Sequence, residues 1–191
     1  MDMQDKDDRY YIKKVLDGES SAFAYLVDRY KHMAYNISLR IVRQSEDAED
    51  VTQDSFVKAY RFLKGFKGDS KFSTWLYRIV YNTSVSHMRK KQSDFTTEKT
   101  DGHILEYADF SGTIESNDDE IIVAALKKAM DDLTVEEQTM VALYYYDKNS
   151  IDDIAGIMSL SVSNVKVKLF RARKKLKDLI PQFMKNTVSA D

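Results

Sequence analysis

One proline, at Pro181, and six glycines are all the strong backbone breakers in this 191-residue chain. Strand-like alternation is weak, and apolar residues recur instead at helical spacing. Phe23, Leu26, Val27, Tyr30, Ala34 and Ile37 form one stripe. Ala48, Val51, Ser55, Ala59 and Phe62 form a second, of smaller residues, and Trp75, Leu76, Ile79 and Val80 begin a third. The pattern predicts a helical bundle ending near Lys91. Helical periodicity resumes at about Asp119 and runs through Val135–Tyr146, Ile151–Met158 and Val162–Ile180. The fold class is therefore all-α: two small helical domains, residues 1–92 and 119–191.

Between them lies a segment of different character. Residues 93–118 are rich in Ser, Thr and acids, hold few apolar anchors and keep no lasting period, which predicts a linker mostly without regular structure. The spacing allows one short helix around Ile104–Phe110. A formal net charge of -2 hides the arrangement. Residues 1–92 carry 17 Lys/Arg against 13 Asp/Glu, residues 93–120 carry 1 against 9, and residues 121–191 carry 11 against 9. Two mildly basic blocks thus flank an acidic strip.

Several function classes drop out early. The chain has no cysteine, so disulfide frameworks and Cys-based metal sites are excluded. His32, His87 and His103 are scattered. There is no P-loop, zinc spacing or nucleophile elbow, and no cofactor is expected. The acidic start MDMQDKDD lacks the layout of a secretory signal, and no stretch approaches the roughly 18 apolar residues of a membrane span. A soluble, cytoplasmic, non-enzymatic protein is the expectation.

The most interpretable local unit is SIDDIAGIMSLSVSNVKVKLFRARKKLKDLI, from Ser150 to Ile180. Ser150 is a good N-cap, with Asp153 three residues on as a short capping box. Ile151, Ile154, Ala155 and Met158 give the first short helix its buried face. After a break at Ser159-Leu160, either Ser161 or Ser163 can start a second helix, on which Val162, Val165, Leu169, Ala172 and Leu176 recur. Two short helices and a tight turn make a helix-turn-helix. The second carries Lys166, Lys168, Arg171, Arg173, Lys174, Lys175 and Lys177 with no acid between them. In such a motif the second helix enters the major groove. Ser163, Asn164, Lys166, Lys168 and Arg171 are then the candidate base or phosphate contacts, with Lys174, Lys175 and Lys177 better placed for phosphate or solvent.

In the first block, Asp50, Gln53 and Asp54 share one face of an acidic helix. That face either meets a basic partner or is simply wet. The following loop, Gly65–Phe72, sets Phe66, Lys67, Lys71 and Phe72 among two glycines. Rings between basic residues suit unstacked bases, although Phe72 and Trp75 equally suit a core.

Residues 46–82 resemble conserved region two of the extracytoplasmic-function sigma factors. The resemblance rests on Asp47-Ala48-Glu49-Asp50, Gln53, Phe56, Ala59-Tyr60, Leu63, Phe66, Gly68, Ser70, Phe72 and Thr74-Trp75-Leu76-Tyr77-Arg78-Ile79, closing on Asn82. The C-terminal block is similar to their region four, through Ile154-Ala155, Val165-Lys166 and Arg171-Ala172-Arg173. The resemblance implies that Asp50, Gln53 and Asp54 contact the beta-prime clamp of core RNA polymerase, with the beta flap as a second contact. It implies that the loop Phe66–Phe72, Ser70 included, holds a base flipped from the minus-ten element, and that Asn82 helps read it. Lys71, Arg78, Arg89, Lys90 and Lys91 would steady the single strand, while the region-four helix reads the duplex minus-thirty-five element. The acidic linker would lie in the RNA exit path, and an anti-sigma factor would be a further partner.

The chain departs from that pattern in places. Thr134 stands where Pro is common, but is itself a good N-cap with Glu137 three residues on. Gln138 takes an Arg place, Ser86 an Asp place, and Lys168 a frequent Arg place, where Lys cannot form Arg's bidentate fork. A helix-turn-helix regulator that binds operator DNA without joining polymerase is the competing reading. It accounts for the C-terminal motif but not for the acidic triad or the aromatic loop.

Overall fold

A computed structural model describes residues 3–94 and 117–188. Its helices are α1 (Met3–Leu16), α2 (Phe23–Val42), α3 (Ser45–Phe62), α4 (Phe72–Asp94), α5 (Asn117–Asp131), α6 (Val135–Tyr145), α7 (Ile151–Met158) and α8 (Val162–Val188). The described residues contain no strand. They fall into two compact units, one containing α1–α4, the other α5, α6 and α8, with α7 leading into α8. Each predicted helical block runs about two residues into the expected linker, α4 to Asp94 and α5 from Asn117. The proposed short helix at Ile104–Phe110 lies outside the described residues. Among those described, no helix is long and apolar enough to cross a membrane.

In the first unit α2, α3 and α4 pack against one another. Ala34, Ser38, Ala48, Ser55, Ala59 and Ser84 are all buried there. Such small residues let helix backbones approach closely. The Ser55 and Ser84 hydroxyls need no distant partner, since they donate to the carbonyls of Val51 and Val80, four residues back. The second stripe holds up to Ala59 and then fails. Phe62 is 63% exposed, while Leu63 is 1% exposed. The helix tightens there into a 3-10 turn, Leu63–Gly65, which carries Leu63 rather than Phe62 inward.

Helix α1 was not foreseen as a distinct element. It is fastened by a buried carboxylate, Asp8, which accepts from the Tyr30 hydroxyl at 2.5 Å and pairs with Arg29 at 3.1 Å. Tyr11 stacks on Tyr25 at 3.6 Å beside it. Burial first, and then Asp8, push the Tyr30 hydroxyl well above its ordinary pKa. Removing one partner of a buried charged pair leaves the other uncompensated, at a cost of about 3–5 kcal/mol when burial is complete. Arg29 keeps partial exposure, and Asp7 lies 4.0 Å from it. Asp8→Ala is therefore expected to destabilise the chain by roughly 2–4 kcal/mol, read as a lower urea midpoint. A change below about 0.5 kcal/mol would mean that α1 is dispensable to the bundle.

In the second unit α8 packs on α5 and α6. The expected cap of α6 is present, with Thr134 accepting from the Glu137 amide and Glu137 reaching back to the Thr134 amide. Gln138 is buried and donates to the carbonyls of Met130 and Leu133, at 2.8 and 3.1 Å. It thus adds side-chain bonds to carbonyls at the turn between α5 and α6. Helix α8 runs through Pro181 to Val188, beyond the predicted end at Ile180. One proline removes a single N–H donor, and here only the last two turns lie beyond it.

Candidate nucleic-acid and polymerase interfaces

Asp50, Gln53 and Asp54 are all exposed on α3, as their spacing required. Among the described residues, no side-chain hydrogen bond or ion pair engages them. Asp47, on the same helix, behaves differently. It bonds Lys91 at 2.6 Å and lies 3.3 Å from His87, joining the start of α3 to the end of α4. Partial burial pushes its carboxyl up, but Lys91 and then His87 outweigh that and hold it below the ordinary carboxylate range. Lys91 also donates to Gln44. Its ammonium is thus engaged in a clasp between the start of α3 and the end of α4. Beside the triad an apolar groove of about 680 Å³ opens between α2 and α3, lined by Val27, Tyr35, Gln53, Phe56, Val57 and Tyr60 among others.

The loop before α4 depends on Gly68, whose φ of 75° suits glycine. Phe66 is half-buried, with its ring 5.8 Å from Phe72 and 5.3 Å from Trp75. Phe72 itself is 1% exposed, so its ring belongs to the core and offers no face to a base. It is the floor on which Phe66 and the half-buried Trp75 rest. Lys67, Ser70 and Lys71 are exposed around them. On α4, Arg78, Asn82 and Arg89 are exposed and fall within about 40° of arc, continuing from Trp75. They form a single stripe reaching about 26 Å from the loop. Lys90 is exposed but stands off that stripe.

The helix-turn-helix forms as spaced. Ser150 and Asp153 make the reciprocal cap of α7. Ser159 takes the left-handed conformation at φ 56°, and the Leu160 amide bonds the Ala155 carbonyl, closing a Schellman-type turn. Of the two serines able to start α8, Ser161 does so, accepting from the Asn164 amide at 3.2 Å. Val165, Leu169, Ala172 and Leu176 are buried, as predicted, whereas Val162 is exposed. The opposite face presents Ser163, Lys166, Val167, Phe170, Arg171, Lys174 and Lys177.

The seven cations from Lys166 to Lys177 are not equivalent. Lys168 pairs with Glu136 of α6 at 2.8 Å. Arg173 lies over the rings of Tyr144 and Tyr145, at 4.9 and 5.3 Å. Lys175 donates to the Asp132 carbonyl. Among the described residues, Lys166, Arg171, Lys174 and Lys177 make no such contact. Of the five residues expected to touch duplex DNA, Ser163, Asn164, Lys166 and Arg171 are exposed, while Lys168 sits at the flank in an ion pair.

Comparison with known proteins decides what this pairing of units is. Residues 26–94 match Sigma-70 region 2, and residues 124–176 match Sigma-70 region 4. Over 177 residues the chain is 36% identical to the RNA polymerase sigma-H factor of Pseudomonas aeruginosa, covering 87% of this chain and 90% of that one. It is 32% identical over 180 residues to the ECF RNA polymerase sigma factor SigW of Bacillus subtilis, covering 88% and 96%. The chain belongs to the ECF RNA polymerase sigma factors. Its fold is shared with the sigma factor RpoE of Bartonella quintana, solved in complex with the anti-sigma factor NepR. That likeness has a TM-score of 0.64 at 22% identity and spans 83% of this chain and 96% of that one.

As a sigma factor the protein directs RNA polymerase to promoters and to initiation. The operator-binding alternative loses its ground, because region 2 accounts for the half of the chain that it left unexplained. Two residues of this sigma factor's outer α8 face escaped the sequence reading, Val167 and Phe170. Phe170 is 67% exposed in the middle of that face. The signal was present, since an apolar residue lying opposite the Val165–Leu169–Ala172 stripe has no core to enter.

Proposed function

We propose that the two units divide promoter recognition between them. The first unit binds the beta-prime clamp through Asp50, Gln53 and Asp54. It receives a flipped base of the minus-ten element at the loop of Phe66, Lys67, Ser70 and Lys71, with Phe72 as support. Arg78, Asn82 and Arg89 carry the strand along α4, and Lys90 adds charge at its margin. The second unit reads the duplex minus-thirty-five element with Ser163, Asn164, Lys166 and Arg171.

The observation that carries this reading is the division of polar surface on the first unit. An acidic face without ion-pair partners on α3 and a basic, ring-ended stripe on α4 call for two different partners. The stripe suits single-stranded DNA, because stacking on a ring contributes about 1–3 kcal/mol per base, enough to offset the few kcal/mol of extrusion. Phe66 is held against Phe72 and Trp75, so little entropy is lost when a base arrives. On α8, Lys166 and Arg171 suit guanine edges and phosphate, Asn164 suits adenine, and Phe170 suits a thymine methyl.

A groove of about 520 Å³ in the second unit, lined by Leu126, Met130, Val141, Tyr145, Leu176 and Ile180 among others, supports the beta flap as partner there. The polymerase performs the chemistry, so the sigma factor needs no catalytic group and works in the cytoplasm where polymerase is found. An anti-sigma factor would act by covering the α3 face.

Run-off transcription with bacterial core polymerase tests the whole reading. On a library of candidate promoters, specific transcripts are expected only when the protein is added. Absence of any binding to core polymerase would sink the proposal.

A further inference from the structure

Among the described residues of α8, Lys168 is the cation tied to a carboxylate, and the carboxylate comes from another helix. Its ammonium lies 2.8 Å from Glu136 Oε2, with side chains 31% and 37% exposed. Glu136 stands in the first turn of α6, but the cap of that helix is made by Thr134 and Glu137 without it. A half-exposed pair contributes little to stability. Its larger consequence is electrostatic, because Lys168 lies at the edge of the face that presents Lys166 and Arg171.

We propose that Glu136 is a positioning residue for recognition of the minus-thirty-five element, holding the Lys168 ammonium away from DNA phosphates. The inference rests on the reading of α8 as the duplex-reading helix. A free lysine at that edge would reach any nearby phosphate and raise affinity for every sequence alike. Paired with Glu136, it adds no such sequence-independent attraction. The contacts left to decide binding are then those of Ser163, Asn164, Lys166 and Arg171, which reach base edges. Glu136 therefore sharpens promoter discrimination without touching a base.

The salt dependence of binding separates this role from a structural one. Each phosphate neutralised by a protein cation adds about 0.9 to the slope of log affinity against log salt. The full-length chain in complex with core polymerase is titrated onto a duplex bearing the minus-thirty-five element, and onto one in which that element is scrambled. Glu136→Gln is expected to steepen the slope by about 0.9 and to raise affinity for the scrambled duplex more than for the intact one. Glu136→Ala should do the same, and Glu136→Asp should keep the wild-type slope. In the double variant E136Q/K168M the slope is expected to return to the wild-type value. An unchanged slope in E136Q and E136A, or a steepening that persists in the double variant, overturns the proposal.

A parallel variant, K166A/R171A, tests the reading beneath it, and its preference for the intact over the scrambled duplex should fall by about one to two orders of magnitude. If that preference falls while E136Q stays at wild type, only the role of Glu136 is lost. If neither changes, α8 does not face the duplex and both readings are lost.

Discussion

Replacing Asp50 and Asp54 together with Lys is expected to weaken binding to core RNA polymerase by about a thousandfold or more. Removing one partner of a hydrogen-bonded interfacial charge pair typically costs about 2–5 kcal/mol, much of it from the other charge left buried and unpaired. Two reversals also bring like charges together against a basic partner. The chain itself should not notice. Both carboxylates are exposed and make no ion pair among the described residues, so unfolding stability is expected to stay within about 0.5 kcal/mol of wild type. Competition binding against core polymerase, alongside a thermal melt by circular dichroism, reads both quantities. Equal affinity with equal stability would show that the polymerase docks elsewhere on α2 and α3. Gln53 carries no charge and lines the apolar groove, so Gln53→Ala should produce a smaller loss.

The second large effect falls on discrimination. Lys166 and Arg171 are the exposed cations nearest the start of α8, and no ion pair engages either. A cation that reaches a guanine edge is worth about 1–3 kcal/mol of discrimination. Replacing both with Ala is therefore expected to reduce the preference for the correct upstream element by about one to two orders of magnitude. Affinity for core polymerase should stay near wild type. Transcription from paired promoters that differ only in the minus-thirty-five element measures the ratio. A proportional loss on both promoters would assign Lys166 and Arg171 to phosphate alone.

Most of the architecture was legible because an all-α chain writes its core as a period. The stripes Phe23–Ile37, Ala48–Ala59 and Val165–Leu176 are buried almost residue for residue, with Val27 only half so. Caps are equally local, and both Thr134–Glu137 and Ser150–Asp153 form as spaced. The acidic triad also followed from spacing, since i, i+3 and i+4 share a face in any helix.

What spacing left open was every choice that depends on a neighbour distant in the chain. Phe62 and Leu63 both lie within reach of the α3 stripe, and only the 3-10 turn selected Leu63. Helix α1 shows few apolar residues, because a buried Asp8 bound to Arg29 and Tyr30 fastens it instead. Above all, a row of cations in a sequence carries no mark of which are already engaged. Glu136, Asp132 and two tyrosines, brought to α8 by the packing of α5 and α6, occupy three of the seven. The same holds for Lys91, engaged by Asp47 some forty residues away. Helical period and capping act within one or two turns and are written in the local sequence. Ion pairs and ring contacts between helices depend on the distances that tertiary packing sets, and those decided which charges remain for DNA and polymerase.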